Sequence, residues 1–335
     1  MADSETPFDL DGFLAQIMEP EPVIPTEEVF IQLCTVFQQA CSMLPNLLVI
    51  HQPVTVVGAV HAQLDDIREL FDICGEVPFT SYLFLGDFVN YGEHNIATVC
   101  LLFALALKYP DHLHLIRGAH ESRQLTLVCG LYEEVINKYG SPRAWEVLMD
   151  AFDYLPLAAH VCYQFFCVSG GIDKSIKQLS QINEFNRFVE VPQSDTWSSL
   201  VWSIPSETVS EFAKIPDHPG SYFGDVAVDA FLKANGLSAI IRSKNLRMNG
   251  YQNNFNDKVI SVWSAPNFNG WVQNTAAVVQ MIAPAQQFHQ KGKKDNLFQI
   301  TTFRARPDSC RITKTPLLFQ DIHSLDHIYI KHLPK

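Results

Sequence analysis

No lysine or arginine occurs before Arg68, although the first 67 residues carry ten acids. A basic-then-apolar secretory leader is therefore not expected. Cysteine is present but never paired at short range. The eight cysteines fall singly, at 34, 41, 74, 100, 129, 162, 167 and 310, with no C-x-x-C. A disulfide framework is thereby disfavoured, and reduced core thiols of a cytoplasmic chain are expected, with the nucleus as a second compartment.

Long apolar runs are also missing. The longest, Leu101–Leu107, is far short of the roughly 20 residues a bilayer requires, so no membrane partner is expected. Charge is sparse, at 18% against 47% hydrophobic residues, which favours a well-covered sheet and a face covered by a partner. The net charge of −12 repels phosphate backbones. The basic end, with nine bases against four acids over 287–335, lacks the aromatic interleaving of a nucleic-acid surface, so no nucleic-acid partner is expected.

What is there has order. Residues 1–25 are acidic and carry four prolines, at 7, 20, 22 and 25, and are expected as a flexible arm. Only Phe8–Met18 within it reads as a short docking helix. From Thr26 a cap-type residue and two acids open a helix, with Val29, Leu33, Val36, Phe37, Ala40 and Leu44 on one stripe.

The middle repeats one unit: an apolar run of strand length, a glycine, a short polar loop, then a helical pattern. Strands are predicted at Val54–Val57, Tyr82–Leu85 and Leu113–Ile116, and helices at Leu64–Ile73, Ile96–Tyr109, Leu125–Tyr139 and Trp145–Phe152. Shorter strands follow at Phe165–Val168, Ala239–Ile241, Val259–Trp263 and Ala276–Met281, which implies a second sheet. The expected class is α/β, a β-sandwich flanked by helices, in one domain. In such sheets ligands sit where loops leave the carboxyl ends of strands. The loops at Gly58–Ala62, Gly86–Gly92 and Arg117–Glu121 carry His or Asp at their tips.

Taken in order, these loops resemble the catalytic core of the phosphoprotein phosphatases (PPP), most of all the 2A-type Ser/Thr protein phosphatases. The resemblance runs from Pro53 to Met281 and extends to connecting segments such as NYGEHNIATVCLLFALALKYP and SAPNF. It implies a calcineurin-like metallophosphoesterase fold with two mixed sheets. The domain would span 26–303, followed by a tail extension at 304–335. The family hydrolyses phosphoserine and phosphothreonine with two divalent ions of the Mn²⁺, Fe²⁺ or Zn²⁺ type that clamp attacking and leaving oxygens.

Against that pattern the chain departs where the chemistry lies. G-D-x-H-G reads Gly58-Ala59-Val60-His61-Ala62, and G-D-x-V-D-R-G reads Gly86-Asp87-Phe88-Val89-Asn90-Tyr91-Gly92. R-G-N-H-E reads Arg117-Gly118-Ala119-His120-Glu121, H-G-G reads Ser169-Gly170-Gly171, and R-A-H reads Arg242-Ser243-Lys244. The resemblance thus leaves His61 and Asp87 as surviving metal ligands, with Ala59, Ala119, Ser169 and Lys244 at lost ligand positions. His120 is implied as a vestigial general acid, and Asn90 replaces the carboxylate that would orient it. Arg242 is implied as a phosphate contact, and Tyr91 replaces a phosphate-binding Arg. Phe268 stands where the family has Tyr.

A Lys facing a dication at 4 Å costs on the order of 8 kcal/mol at an effective dielectric of 20. Lys244 is instead expected as an internal counter-ion for Asp87. The bland readings are that His61 and His120 are satisfied loop histidines, and that Arg117 and Arg242 are structural forks bonding carbonyls. No resident metal is expected. The expected function is that of a catalytically inactive homologue acting on protein partners: phosphatase scaffold subunits, regulatory subunits or phosphoproteins. A metal-impaired but active phosphatase and a structural subunit of a larger assembly are the alternatives. Thr315-Pro316 resembles the start of the family's methylated tail, but 16 residues follow Phe319, so that modification site is not expected.

Overall fold

The computed structural model describes residues 8–193, 197–282 and 297–307. Its strands, in chain order, are β1 (Leu47–Ile50), β2 (Thr55–Val57), β3 (Tyr82–Phe84), β4 (Leu113–Leu115), β5 (Ala158–Val161), β6 (Phe165–Val168), β7 (Ile204–Pro205), β8 (Phe212–Lys214), β9 (Ser221–Phe223), β10 (Ala239–Arg242), β11 (Tyr251–Asn254), β12 (Val259–Val262), β13 (Ala276–Met281) and β14 (Phe298–Phe303). The helices are α1 (Leu10–Met18), α2 (Glu27–Ser42), α3 (Leu64–Cys74), α4 (Asn95–Lys108), α5 (Arg123–Val128), α6 (Leu131–Tyr139), α7 (Arg143–Asp153), α8 (Ser198–Trp202) and α9 (Asp225–Asn235).

Two mixed sheets, ordered β1-β5-β6-β10-β12-β11 and β14-β13-β2-β3-β4, face each other. Side chains alternate across each strand, and that alternation builds three layers of core. Val56, Leu83, Phe165, Cys167 and Ile241 fill the space between the sheets. Val57, Tyr82 and Phe84 point the other way, into α2, α4 and α7. Phe166, Val168 and Ile240 pack under α9 on the opposite outer face. The α/β sandwich read from the sequence is therefore the fold, with a small third sheet, β7-β9-β8, added at one side.

Three expectations change. The helix predicted over Leu125–Tyr139 is two helices, because Gly130 adopts φ +113 between them. β1 and β5, unforeseen, pair in parallel through Leu47↔Ala158 and so join distant segments. The flexible-arm reading of 1–25 is corrected over residues 8–25. There α1 is capped by Asp9, whose Oδ1 accepts from Gly12 N at 3.0 Å, and buries Phe13, Leu14 and Ile17. Burial contributes roughly 1.5–3 kcal/mol per such side chain, enough to hold a helix too short to persist alone. Arg68, itself buried, donates to the carbonyls of Ile17 (2.9 Å), Glu19 and Pro20 (3.1 Å), satisfying the open end of that helix.

At the other end, Arg306 N donates to Asp66 at 2.8 Å, tying residue 306 to α3. The tail beyond Pro307, with Thr315-Pro316, lies outside the described residues, as do residues 1–7. Seven cysteines are described and all are free thiols. Among the described residues no helix is long and apolar enough to cross a membrane.

Candidate functional site

Six loops leave the strand ends on one side of the sandwich and meet: those after β2, β3, β4, β6, β10 and β12. A parallel bridge between Ala59 and Trp263 stitches the two sheets together there. Close approach of backbones requires glycine. A Cβ on Gly86 (φ +87) would stand 2.2 Å from the amide nitrogen of Gly118. The carboxylate of Glu121 locks this crossing, accepting from the amides of Asp87 (2.7 Å), Phe88 (2.9 Å) and Gly118 (2.9 Å). Burial, reinforced by the charge of Asp87, pushes the Glu121 carboxyl up to about 8, against the pull of those three donors.

His61, Asp87 and His120 do come together. The amide of His120 donates to Asp87 Oδ1 at 2.9 Å, and the His61 and His120 ring centroids lie 4.8 Å apart. His61 Nδ1 lies 3.2 Å from the carbonyl of Val89, to which it donates. Burial holds His120 well below the ordinary imidazole range, so its ring is neutral. Asn90 Nδ2 stands 2.9 Å from His120 Nδ1 and 3.5 Å from the His120 carbonyl, so the amide's NH₂ end faces two acceptors. With the amide in this orientation, the His120 proton belongs on Nε2. Asn90 Oδ1 is buried without a hydrogen-bond partner among the described residues.

The lost positions are filled, not empty. Ala59 and Ala119 pack in an apolar cluster with Tyr91, Leu125, Cys129, Trp263, Ala265 and Phe268. Tyr91 sets its ring edge-on to His61 (5.1 Å), His120 (5.1 Å) and Phe268 (5.5 Å). Where the resemblance implies a phosphate-gripping Arg, an aromatic ring closes on the two histidines. The left-handed backbone persists at His61 (φ 45), Asp87 (φ 55), Asn90 (φ 73), Tyr91 (φ 63) and Lys244 (φ 90). Such conformations cost about 1–3 kcal/mol each and require surrounding packing to hold them.

Lys244 is buried, 5% exposed, with its ammonium 3.7 Å from the centroid of the Trp202 ring, a cation–π contact. Burial alone would raise the Asp87 carboxyl, but Lys244, His120, His61 and the His120 amide together hold it below the usual carboxylate range. Of the charges that lower it, Lys244 contributes most. Lys244 thus favours the Asp87 carboxylate while its ammonium lies over the Trp202 ring.

Arg242 stands at the position implied as a phosphate contact. Fully buried, it donates to the carbonyl of Gly170 and to Asn245 Oδ1 (3.2 Å) and Ser261 Oγ (3.3 Å). Arg117 is likewise a structural fork, bonding Asp153 (2.6 Å) and the carbonyls of Glu121 (3.0 Å) and Val189 (2.8 Å). The five tryptophans do not share one role. Trp197 and Trp263 are core, whereas Trp271 is 46% exposed.

A pair of divalent ions does not fit this donor set. Two potential ligands, His61 and Asp87, remain beside two alanines, a serine and a buried ammonium, and hard cations need several oxygen or nitrogen ligands. Among the described residues no group of three or more His, Cys, Asp or Glu is arranged to hold a metal. Ser169 Oγ, at one lost position, is buried without a hydrogen-bond partner among the described residues. Sequence reasoning missed Glu121, Trp202 and the serines that pin the first loop. Ser243 Oγ accepts from Ala59 N (2.7 Å) and Ser264 Oγ from Gly58 N (2.8 Å), contacts between residues far apart in the chain.

Residues 52–243 match the profile of the calcineurin-like phosphoesterases. A Schizosaccharomyces pombe protein named "Putative serine/threonine-protein phosphatase" is 39% identical over 281 residues, 84% of this chain and 91% of its own length. The PP2A-like serine/threonine-protein phosphatase PPG1 of Candida albicans is 40% identical, covering 82% of this chain and 66% of its own. Among solved structures, a Saccharomyces cerevisiae protein serine/threonine phosphatase with similarity to human phosphatase PP5 superposes with TM-score 0.78 at 28% identity, covering 86% of this chain and 93% of its own.

Proposed function

This chain belongs to the calcineurin-like phosphoesterases, among the 2A-type serine/threonine protein phosphatases, and we propose that it uses their fold to bind proteins rather than to hydrolyse phosphate esters. Members of this fold family work through divalent metals. What supports a different mode here is one observation: three of the four lost ligand positions are built into packing, with Ala59 and Ala119 in an apolar cluster beside Tyr91 and Lys244 on Trp202. Restoring a metal would require displacing packed atoms, not merely filling a vacancy.

The partners we infer are phosphatase scaffold or regulatory subunits, or phosphoproteins held without cleavage, in the cytoplasm or the nucleus. Neither nucleic acid nor membrane is a partner in this reading. Metal content of the purified protein and phosphopeptide turnover with added Mn²⁺ test it. The reading requires no bound stoichiometric metal and no turnover; turnover abolished by Asp87→Ala would overturn it.

A second reading, a metal-impaired phosphatase using His61, Asp87 and His120, draws support from the contact of those three residues. A rise of thermal stability and turnover together along a Mn²⁺ titration would select it.

A further inference from the structure

The last described residues after β14 lie on α3. Arg306 N donates to Asp66 Oδ1 at 2.8 Å, and the Arg306 guanidinium pairs with Asp72 Oδ2 at 3.6 Å. Asp66 and Asp72 stand about 9 Å apart along the helix, so the Arg306 side chain runs toward the C-terminal end of α3. The described residues stop at Pro307, and residues 308–335 follow.

The surface met there is acidic. Residues 8–79 carry eleven acids and one base, Arg68. Arg68 is buried and answers Asp65, Lys108 answers Asp11 and Arg306 answers Asp72, which leaves the acids in excess. On α3, Asp72 and Glu76 beyond its end are exposed and Glu69 is half-buried. Glu19 and Glu21, also exposed, stand nearby, because Arg68 bonds the carbonyls of Ile17, Glu19 and Pro20 and so holds the end of α1 against α3. Apolar groups are exposed at the same place. Thr80 N donates to the carbonyl of Glu76 (2.9 Å) and Thr80 Oγ1 to that of Cys74 (2.8 Å), which folds residues 76–80 onto the end of the helix. Phe79, in that turn, is 92% exposed, and Ile73 is exposed beside Asp72. Burying a side chain of that size contributes roughly 1.5–3 kcal/mol.

We infer that the chain's own segment 308–319 continues along α3 and docks on this face. Residues 304–319 read RARPDSCRITKTPLLF, four bases against one acid, opposite in sign to the surface on which Arg306 already lies. Arg311 and Lys314 extend the contact that Arg306 opens, toward Glu69, Asp72 and Glu76. Pro316–Phe319 supplies an apolar run to cover Ile73 and Phe79. The reach is ample: ten extended residues span up to about 33 Å, whereas α3 is about 16 Å long. A tethered segment also acts at an effective concentration near the millimolar range, so individually weak contacts suffice. The docking does not depend on whether His61, Asp87 and His120 hydrolyse anything.

The test is zero-length carbodiimide cross-linking of the full chain, mixed from nitrogen-14 and nitrogen-15 protein and read by mass spectrometry, with hydrogen exchange alongside. Lys314 is expected to cross-link to Glu69, Asp72 or Glu76 within one chain, and the amides of Leu317, Leu318 and Phe319 to exchange slowly. Phe79→Asp, a change to an exposed side chain, is expected to lower cross-link yield and amide protection at least about fivefold. Arg311→Glu is expected to lower both through charge, while Glu207→Lys, between β7 and β8, changes neither. Cross-links of Lys314 spread over acids away from α3, such as Glu207 and Asp225, overturn the inference. So do yields unchanged by Phe79→Asp and Arg311→Glu. Cross-links that join a nitrogen-14 to a nitrogen-15 chain overturn it as well, because a second copy would then be the occupant.

Discussion

Asn90 holds its amide nitrogen 2.9 Å from His120 Nδ1, in the place where a carboxylate would otherwise accept a proton from that nitrogen. With the Asn90 amide nitrogen facing Nδ1, the substitution reverses the tautomer. An acceptor at this position would fix the proton on Nδ1 and stabilise the imidazolium, as in triad chemistry; a donor fixes it on Nε2 and leaves the ring neutral. Nitrogen-15 chemical shifts of His120 are expected to report an Nε2–H tautomer. Asn90→Asp is expected to move the proton to Nδ1 and raise the His120 pKa by more than about one unit. An unchanged tautomer in that variant would contradict the assignment.

Lys244 and Asp87 form the charge balance of the buried site. Lys244→Met keeps the contact with Trp202 apolar but leaves the Asp87 carboxylate without its strongest positive neighbour. A loss of about 3 kcal/mol at pH 7 is expected in chemical denaturation. Adding Asp87→Asn is expected to recover most of that loss. Strict additivity of the two changes would show that they do not act on one another.

Tyr91 is the plug. Its ring packs edge-on against His61, His120 and Phe268. Tyr91→Ala is expected to cost about 3 kcal/mol, from lost burial plus the cavity left behind. Tyr91→Arg is expected to cost at least as much, because the guanidinium would enter a cluster of apolar groups beside a buried ammonium.

Beside the depressed Asp87 carboxyl, whose contribution is lost only at pH values below the usual carboxylate range, two buried groups of opposite sign shape the pH dependence of stability. His120 is held well below the ordinary value of about 6.5, so the unfolded chain takes up its proton first. Its contribution is whole above that value and declines as pH falls below it. Glu121 is pushed up to about 8, so the stability tied to its protonated form is lost as pH rises from the ordinary carboxylate range through 8. Denaturation midpoints are therefore expected to fall on both sides of a maximum. In His120→Gln the acid limb flattens while the alkaline limb remains; an acid limb of unchanged slope would exclude His120 as its source.

Much of this architecture is legible in the residues. Apolar runs stopped by Gly58, Gly86 and Gly118 mark the strand ends, and the loops after them converge because parallel neighbours β2, β3 and β4 point the same way. What was not legible depends on distant partners. Phe8–Met18 lies in a stretch that reads first as a flexible arm, and Arg68, which receives the end of α1, stands some 50 residues away. Arg242 looks like a phosphate ligand in its motif; only the carbonyl of Gly170 and the hydroxyl of Ser261 reveal a fork. Nothing near Lys244 in sequence announces Trp202.

The most direct measurement is elemental analysis of the purified full chain by mass spectrometry after equilibration with Mn²⁺, Fe²⁺ and Zn²⁺, paired with phosphopeptide turnover in the same samples. The expected result is well under one bound ion per chain and no turnover, unchanged by Asp87→Ala. About two ions per chain, with turnover lost in Asp87→Ala, would mean that the packed loops still open to form the family's metal centre.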